Sequence, residues 1–291
     1  MEKAIHSGRS KASALGKKGA GRSAYVMKPE SLALVENFRL MDDTFMSKCL
    51  ENAPECIELI LRVIIGKKDL KVIKSQTEYP IKSLQGRGVR FDVFARDSKG
   101  REYDIEIQRA DKGAEPKRAR YNSALMDANA LKSGEDFGKL RDTYVIIITE
   151  NDVMGRGQGV YVFDRMDKKS GLDFGDGAHV VYANGMWRGD DALGRLMCDF
   201  NCRDANKMHY DVLKKRVSQL KDSEEGRRIM CKAVEEFAER RAAEAKAEGE
   251  RKTMLATAKR MLESGMLALK DIAKFSGLSL VQVKKLQAEM A

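Results

Sequence analysis

Asp92 and Glu106 sit on two short runs of alternating side chains, and the turn between the runs places their carboxylates opposite one another. In the first run Val89, Phe91, Val93 and Ala95 are apolar, while Arg90, Asp92 and Arg96 take the other side, with Phe94 the exception. In the second run Tyr103, Ile105 and Ile107 alternate with Asp104, Glu106 and Gln108. A period of two makes each run a strand half-buried on one face. Pairing apolar against apolar requires odd residues to oppose odd ones, because a slip of one residue turns a whole strand to the wrong face. A three-residue loop, Ser98-Lys99-Gly100, meets that requirement, with Asp97 starting a type I turn and Gly100 taking the left-handed position of a bulge. Asp92 then faces Glu106, Arg90 faces Gln108 and Phe91 faces Ile107.

Directly opposed β-carbons lie about 4.5–5.5 Å apart, where like charges repel. Something positive must offset that repulsion. Arg90, next along the face from Asp92 and diagonal to Glu106, would make this an ordinary salt-bridged surface. The alternative is Mg2+, a hard cation satisfied by one or two carboxylates together with carbonyls and waters. Such an ion polarises a phosphoryl oxygen and lowers the pKa of a bound water, which is what phosphodiester hydrolysis needs.

The pattern Asp-x13-Glu-x-Gln on a hairpin, followed by a basic helix and a buried strand, resembles the PD-(D/E)XK nuclease superfamily. More closely, the chain resembles the recombination-promoting nuclease and transposase family. The resemblance is carried by DDTFMSKCL at 42–50, by the stretch 84–131 around VRFDVFARDSKGREYDIEIQ, by GEDFGKLRDTYVIIITENDV at 134–153 and, more loosely, by VVYANGMWRGDD at 180–191. It covers roughly residues 35–190. It implies an α/β, restriction-endonuclease-like αβββαβ core, a mixed sheet flanked by helices, and Mg2+-dependent DNA cleavage, with Mn2+ a possible substitute. Asp92 then matches the metal-binding aspartate and Glu106 the second metal carboxylate. Gln108 stands where the superfamily usually has lysine; it can orient water by hydrogen bonding but brings no charge. Phe91 replaces the variable proline. Arg90 and Lys112 are the nearby candidates for the missing positive charge. Strand transfer, which usually uses three acidic residues on a different fold, is not what this hairpin calls for. The expected biology is recombination, mobile elements or phage defence.

Several elements must position these groups. Helical spacing over 34–65, broken near Pro54, suggests two helices before the sheet; Asp42 and Asp43 fall in the first, as caps or as an auxiliary acid. Residues 70–81 read as the first strand. A helix over 115–132 opens on Pro116 and ends before Gly134, with Tyr121, Leu125, Ala128 and Leu131 as its apolar stripe. Lys117, Arg118, Arg120 and Tyr121 at its start are the expected DNA contacts, through phosphates; a solvated basic turn is the bland alternative. Residues 143–149 are apolar throughout, as in a strand covered on both faces and reached by a helical crossover. Residues 160–164 and 179–182 extend the sheet as a hairpin. The glycines of 154–159 precede a strand and so form a turn, not a phosphate-binding loop. Trp187 is expected to pack.

The chain has 291 residues and a net charge of +10, which favours a polyanionic partner. Residues 1–30 carry seven basic and two acidic side chains and read as a disordered basic arm. A nuclease-like domain over 31–190 is followed by a helical connector over 191–265. Within it 224–260 is a solvated charged helix, with coiled-coil pairing into a homodimer secondary. Residues 266–291 have the spacing of a helix-turn-helix hairpin: Ile272, Ala273, Gly277, Val283 and Leu286, with Ser279, Gln282, Lys284 and Lys285 offered outward. Five cysteines without a Cys-x-x-Cys pair support neither a disulfide framework nor a zinc ribbon. Cys198, Cys202 and His209 are free side chains before they are a metal site, and His6 and His179 have no catalytic context. No apolar run approaches the ~18 residues of a membrane span, and the expected location is the cytoplasm.

Overall fold

The computed structural model describes residues 26–83 and 87–290, with the Lys112 side chain also outside the description. His6 and most of the expected basic arm therefore lie outside the described residues, and Pro29 already opens the first helix. Among the described residues three helices, where the spacing over 34–65 suggests two, precede the sheet: α1 (Pro29–Asn37), α2 (Asp43–Leu50) and α3 (Pro54–Ile65). They lead into β1 (Val72–Ile81), β2 (Val89–Asp97) and β3 (Glu102–Gln108), then α4 (Pro116–Ala130) and β4 (Thr143–Thr149). β5 (Val160–Phe163) and β6 (Ala178–Asn184) complete a six-stranded sheet of order β1-β2-β3-β4-β6-β5. The first three strands are antiparallel neighbours, whereas β4 runs parallel to β3 and β6 parallel to β4. This is the α/β arrangement implied by the resemblance, a mixed sheet in which α4 is the crossover that makes β3 and β4 parallel.

The β2–β3 register is the one the alternation requires. Val93 pairs with Ile105, Ala95 with Tyr103 and Arg96 with Glu102. Gly100 adopts φ +83°, and its N–H donates to the Asp97 carbonyl at 3.0 Å. That conformation is open to glycine at little steric cost.

The faces differ from expectation. Val93, Ala95, Tyr103, Ile105 and Ile107 pack toward α1–α3 and the later helices, as the pattern requires. The opposite face is not solvated: Phe94, Val145, Ile147 and Tyr182 pack there against Ala119, Leu125 and Met126 of α4. Asp104 and Glu106 are consequently buried. Phe91 joins this second cluster, so strict alternation breaks in β2 next to Asp92. The cause is the crossover itself, since a helix joining parallel strands must lie on one face of the sheet. For the same reason α4 buries Ala119, Asn122, Ser123, Leu125 and Met126; of the expected stripe only Leu125 is buried, while Tyr121 and Ala128 stay exposed.

Beyond the sheet come α5 (Ala192–Asn201), α6 (Asp211–Asp222) and α7 (Glu224–Ser264), a single helix of 41 residues. α8 (Leu269–Ser276) and α9 (Leu280–Met290) fold back on the end of α7, burying Ile272, Leu278 and Val283 with Ala258. Ser279 and Gln282 are occupied there as a reciprocal cap: the Ser279 N–H donates to Gln282 Oε1 at 2.8 Å and the Gln282 N–H to Ser279 Oγ at 3.3 Å. Of the four side chains expected to face outward, Lys284 and Lys285 remain exposed and uninvolved in capping. Cys49, Cys56 and Cys231 are buried free thiols, while Cys198 and Cys202 are partly exposed. His209 Nδ1 lies 2.9 Å from Asp199 Oδ1, and His179 Nδ1 lies 2.6 Å from Asp164 Oδ1. Trp187 packs against Gly159 and Gly189. No helix among the described residues is long and apolar enough to cross a membrane.

The hairpin that fixes the register is held by Asp97. Its buried carboxylate accepts from the Lys99 and Arg101 N–H groups at 2.9 and 3.0 Å, from Arg101 Nε at 2.7 Å and from the Tyr103 hydroxyl at 2.8 Å. Burial works against the ionised form, but the hydrogen bonds from Arg101 and Tyr103 outweigh it and hold the Asp97 pKa below its ordinary value. Asp97→Ala strands the Arg101 charge and should cost about 3 kcal/mol in chemical denaturation. A depressed carboxyl pKa stabilises above the unfolded value, so the gap between wild type and variant should shrink as pH falls through and below about 3.9.

Candidate active site

The ladder between β2 and β3 ends at Val93–Ile105, one step before the two acids. There each carboxylate reaches across to the other strand's backbone. The Ile107 N–H donates to Asp92 Oδ2 at 2.9 Å, and the Asp92 N–H approaches Glu106 Oε1 at 3.4 Å. The acids thus replace a backbone rung with side-chain oxygens, which brings them together at the mouth where the strands part.

Burial raises the Asp92 pKa well above the ordinary aspartate value, and the neighbouring Glu106 and Asp43 charges push it further. Burial also raises Glu106, against the pull of Arg118. Beneath them is Asp104, fully buried, whose proton affinity is raised by burial and by Glu106. Asn122 Nδ2 of α4 donates to Asp104 Oδ2 at 2.8 Å, while Asp104 Oδ1 is left without a donor. The two acids act on one another in opposite senses: Asp104 lowers the Glu106 pKa and Glu106 raises that of Asp104. Sequence alternation marked Asp104 as polar; only the overlying α4 makes it a buried partner.

The cation beside Glu106 is Arg118, not Arg90. Arg118 Nη2 donates to Glu106 Oε2, and the ion pair is buried on the Glu106 side. Of the four expected DNA contacts, this one is therefore occupied by an acid. Arg90 acts chiefly on Asp43, whose pKa is raised by burial and pulled back first by Arg90. Asp43 opens α2 and lines the same cleft of about 570 Å³ as Arg90, Asp92, Gln108 and Arg118. Asp42 holds the N-cap position of α2, but its carboxylate accepts from the Arg39 N–H at 2.7 Å and pairs with Arg109 at 2.7 Å instead of capping the helix. Arg109 also meets Glu150 at 3.1 Å, so the end of β3 is tied to α2 and to the end of β4 just past Gln108.

Gln108 Nε2 lies 3.5 Å from Glu106 Oε2. A β-carbon on Gly113 would sit 1.8 Å from Gln108 Oε1, so glycine at that position is what leaves room for the glutamine. Lys117, Arg120 and Tyr121 line an adjoining groove of about 710 Å³ with Arg87 and Arg90. The Tyr121 hydroxyl donates to the Arg87 carbonyl at 2.6 Å, bracing the two walls.

Among the described residues no three His, Cys, Asp or Glu side chains converge as a metal cluster. Mg2+ requires only one or two carboxylates, the rest of its shell being water and carbonyl oxygen. Two adjoining acids with raised proton affinity, Glu106 buried and Asp92 half-buried on an open cleft, are a donor set that fits a hard cation.

A sheet whose antiparallel hairpin passes into a parallel crossover, with paired acids at that junction, is that of a restriction-endonuclease-like α/β domain. Residues 51–184 match the family model described as PD-(D/E)XK nuclease family transposase. The match runs from α3 to the end of β6 and includes Asp92, Glu106, Gln108 and α4. No curated protein and no solved structure matched the chain.

Two measurements follow. An acid whose folded pKa is raised weakens the fold as pH rises from its unfolded value toward its folded one. Asp92→Asn should therefore raise the unfolding midpoint in EDTA at pH 7–8, by about 1 kcal/mol, and the gain should vanish near pH 4 and below. Gly113→Ala should displace Gln108, lowering cleavage while leaving the denaturation midpoint within about 1 kcal/mol of wild type.

Proposed function

We propose that this protein is a Mg2+-dependent DNA endonuclease that hydrolyses phosphodiester bonds, with Mn2+ able to substitute. The observation that carries the reading is the pair Asp92 and Glu106, the glutamate buried and the aspartate half-buried on a cleft that Arg90, Arg118 and Arg241 also line. These two residues would hold the ion, which when bound polarises a phosphoryl oxygen and makes a water more acidic. The remaining work falls to the chain's own groups. Gln108 orients water by hydrogen bonding without adding charge. Arg118 shares Glu106 and opens onto both clefts, so it is placed to move between that carboxylate and a phosphate. Lys117 and Arg120 supply exposed charge for the DNA backbone, and Tyr121 fixes the β1–β2 connection beside them. The matched family's description as a transposase supports a role for such cleavage in recombination or mobile-element biology.

One observation favours a second reading. Arg118 already neutralises Glu106, as it would in a silent DNA-binding scaffold that kept the nuclease fold. Supercoiled plasmid separates the two. The nuclease reading expects Mg2+-dependent nicking that falls at least about a hundredfold in Asp92→Ala and Glu106→Ala, since even outer partners of metal ligands cost about 10- to 100-fold. It also expects Mg2+ to raise the unfolding temperature of the wild type but not of Asp92→Ala. DNA binding with no cleavage by wild type in Mg2+ or Mn2+ carries the scaffold reading instead.

A further inference from the structure

α7 does not merely connect. Its first turns pack on the body through Met230, Cys231 and Ala233, and it then passes the acids of the candidate site before running on with every residue from 241 to 254 exposed. At the crossing point Arg240 pairs with Glu78 of β1 at 3.2 Å, and its guanidinium lies 5.4 Å from the Phe237 ring centroid. Glu78 has φ +49°, a left-handed conformation inside a strand, and it lies between Thr77, paired with Val93, and Tyr79, paired with Phe91. It is therefore level with Asp92. A residue other than glycine held there costs of order 1–3 kcal/mol and persists only where its surroundings require it. The strained position is the one that meets α7.

The next residue, Arg241, lines the cleft that contains Asp43, Asp92, Gln108 and Arg118. It is exposed and makes no ion pair among the described residues, although its charge reaches Asp43. Glu244, one turn on, stands on the same wall and marks its acidic limit. The opposite wall carries Arg118, whose charge is shared with Glu106. Arg241 and Arg90 are thus the arginines lining this cleft that make no ion pair among the described residues, and Arg241, 6.0 Å from the Phe237 ring centroid, is the one carried by α7.

We propose that Arg241 is a DNA phosphate-contacting residue of this site, aimed by the Glu78–Arg240 pair. A segment outside the family-matched stretch then forms the third wall of the substrate channel. The inference rests on the nuclease reading only in taking the cleft as the DNA site, and binding is measured apart from cleavage. Glu78–Arg240 is half-exposed, a class of pair worth about 0.2–1 kcal/mol, so it biases the position of α7 without locking it.

The test is fluorescence anisotropy of full-length protein on a labelled duplex in EDTA over a salt series, followed by steady-state cleavage in Mg2+. Loss of one phosphate contact lowers the salt slope by about one and weakens binding uniformly across sequences. Arg241→Ala should do both, with affinity down about three- to tenfold at low salt and KM raised more than kcat is lowered. Arg241→Lys should recover most of the affinity, because a point charge suffices for a phosphate. Glu78→Gln should give a smaller loss, and the exposed Arg251→Ala should bind as wild type. Wild-type slope and affinity in Arg241→Ala overturn this inference and leave the nuclease reading standing. A loss in Arg251→Ala as large as in Arg241→Ala also overturns it, since the effect would then be net charge alone. A wild-type protein that binds no duplex overturns both.

Discussion

The repulsion between Asp92 and Glu106 is the constraint that organises the rest. Two acids held where strands part, one buried and the other half-buried, prefer to be neutral unless something positive stands beside them. The chain surrounds them with partial answers. The Ile107 amide binds one and the Arg118 guanidinium binds the other. Neither removes the strain fully, since both pKa values stay raised. A folded protein would lose this tension by replacing either acid with a neutral residue. Its retention is intelligible when the site serves a cation that the fold itself does not provide, and sites of this kind commonly lower stability for function.

α4 is the element on which several of these effects converge. It makes β3 and β4 parallel, covers the face that holds Asp104 and Glu106, and carries Asn122 and Arg118 to them. Its outer side presents Lys117 and Arg120 to the groove. Burial of the acids and the basic charge lining the groove are thus set by one helix, and a shift of that helix would alter both together.

The hairpin was legible because its information is local. Asp97 and Gly100 specify the turn, the turn specifies the register, and the register places residue 92 against residue 106. The strand at Thr143–Thr149 was equally legible, since an unbroken apolar run has no polar side to offer water. What escaped was set by distant contacts. A period of two shows which side of a strand is more apolar, but not that a helix covers the other side, so Asp104 and Glu106 read as solvent-facing. Arg118 as the partner of Glu106 and the approach of α7 depend on pairs separated by 12 to well over 100 residues, for which a single sequence carries no periodic signal. Ser279 and Gln282 show the reverse error. Polar residues at the start of a helix looked available for a partner, yet their spacing of three is that of a helix cap.

The unbroken course of α7 has a metric consequence. At 1.5 Å per residue, the stretch from Arg241 to Ala258, where α8 and α9 dock, spans about 25 Å. With base pairs spaced about 3.4 Å along a duplex, that is roughly seven steps of B-form DNA. The helix is therefore a ruler whose zero lies at the acids and whose far mark is the terminal three-helix unit, and inserting or deleting residues along its bare middle would both change that length and rotate the unit about the axis.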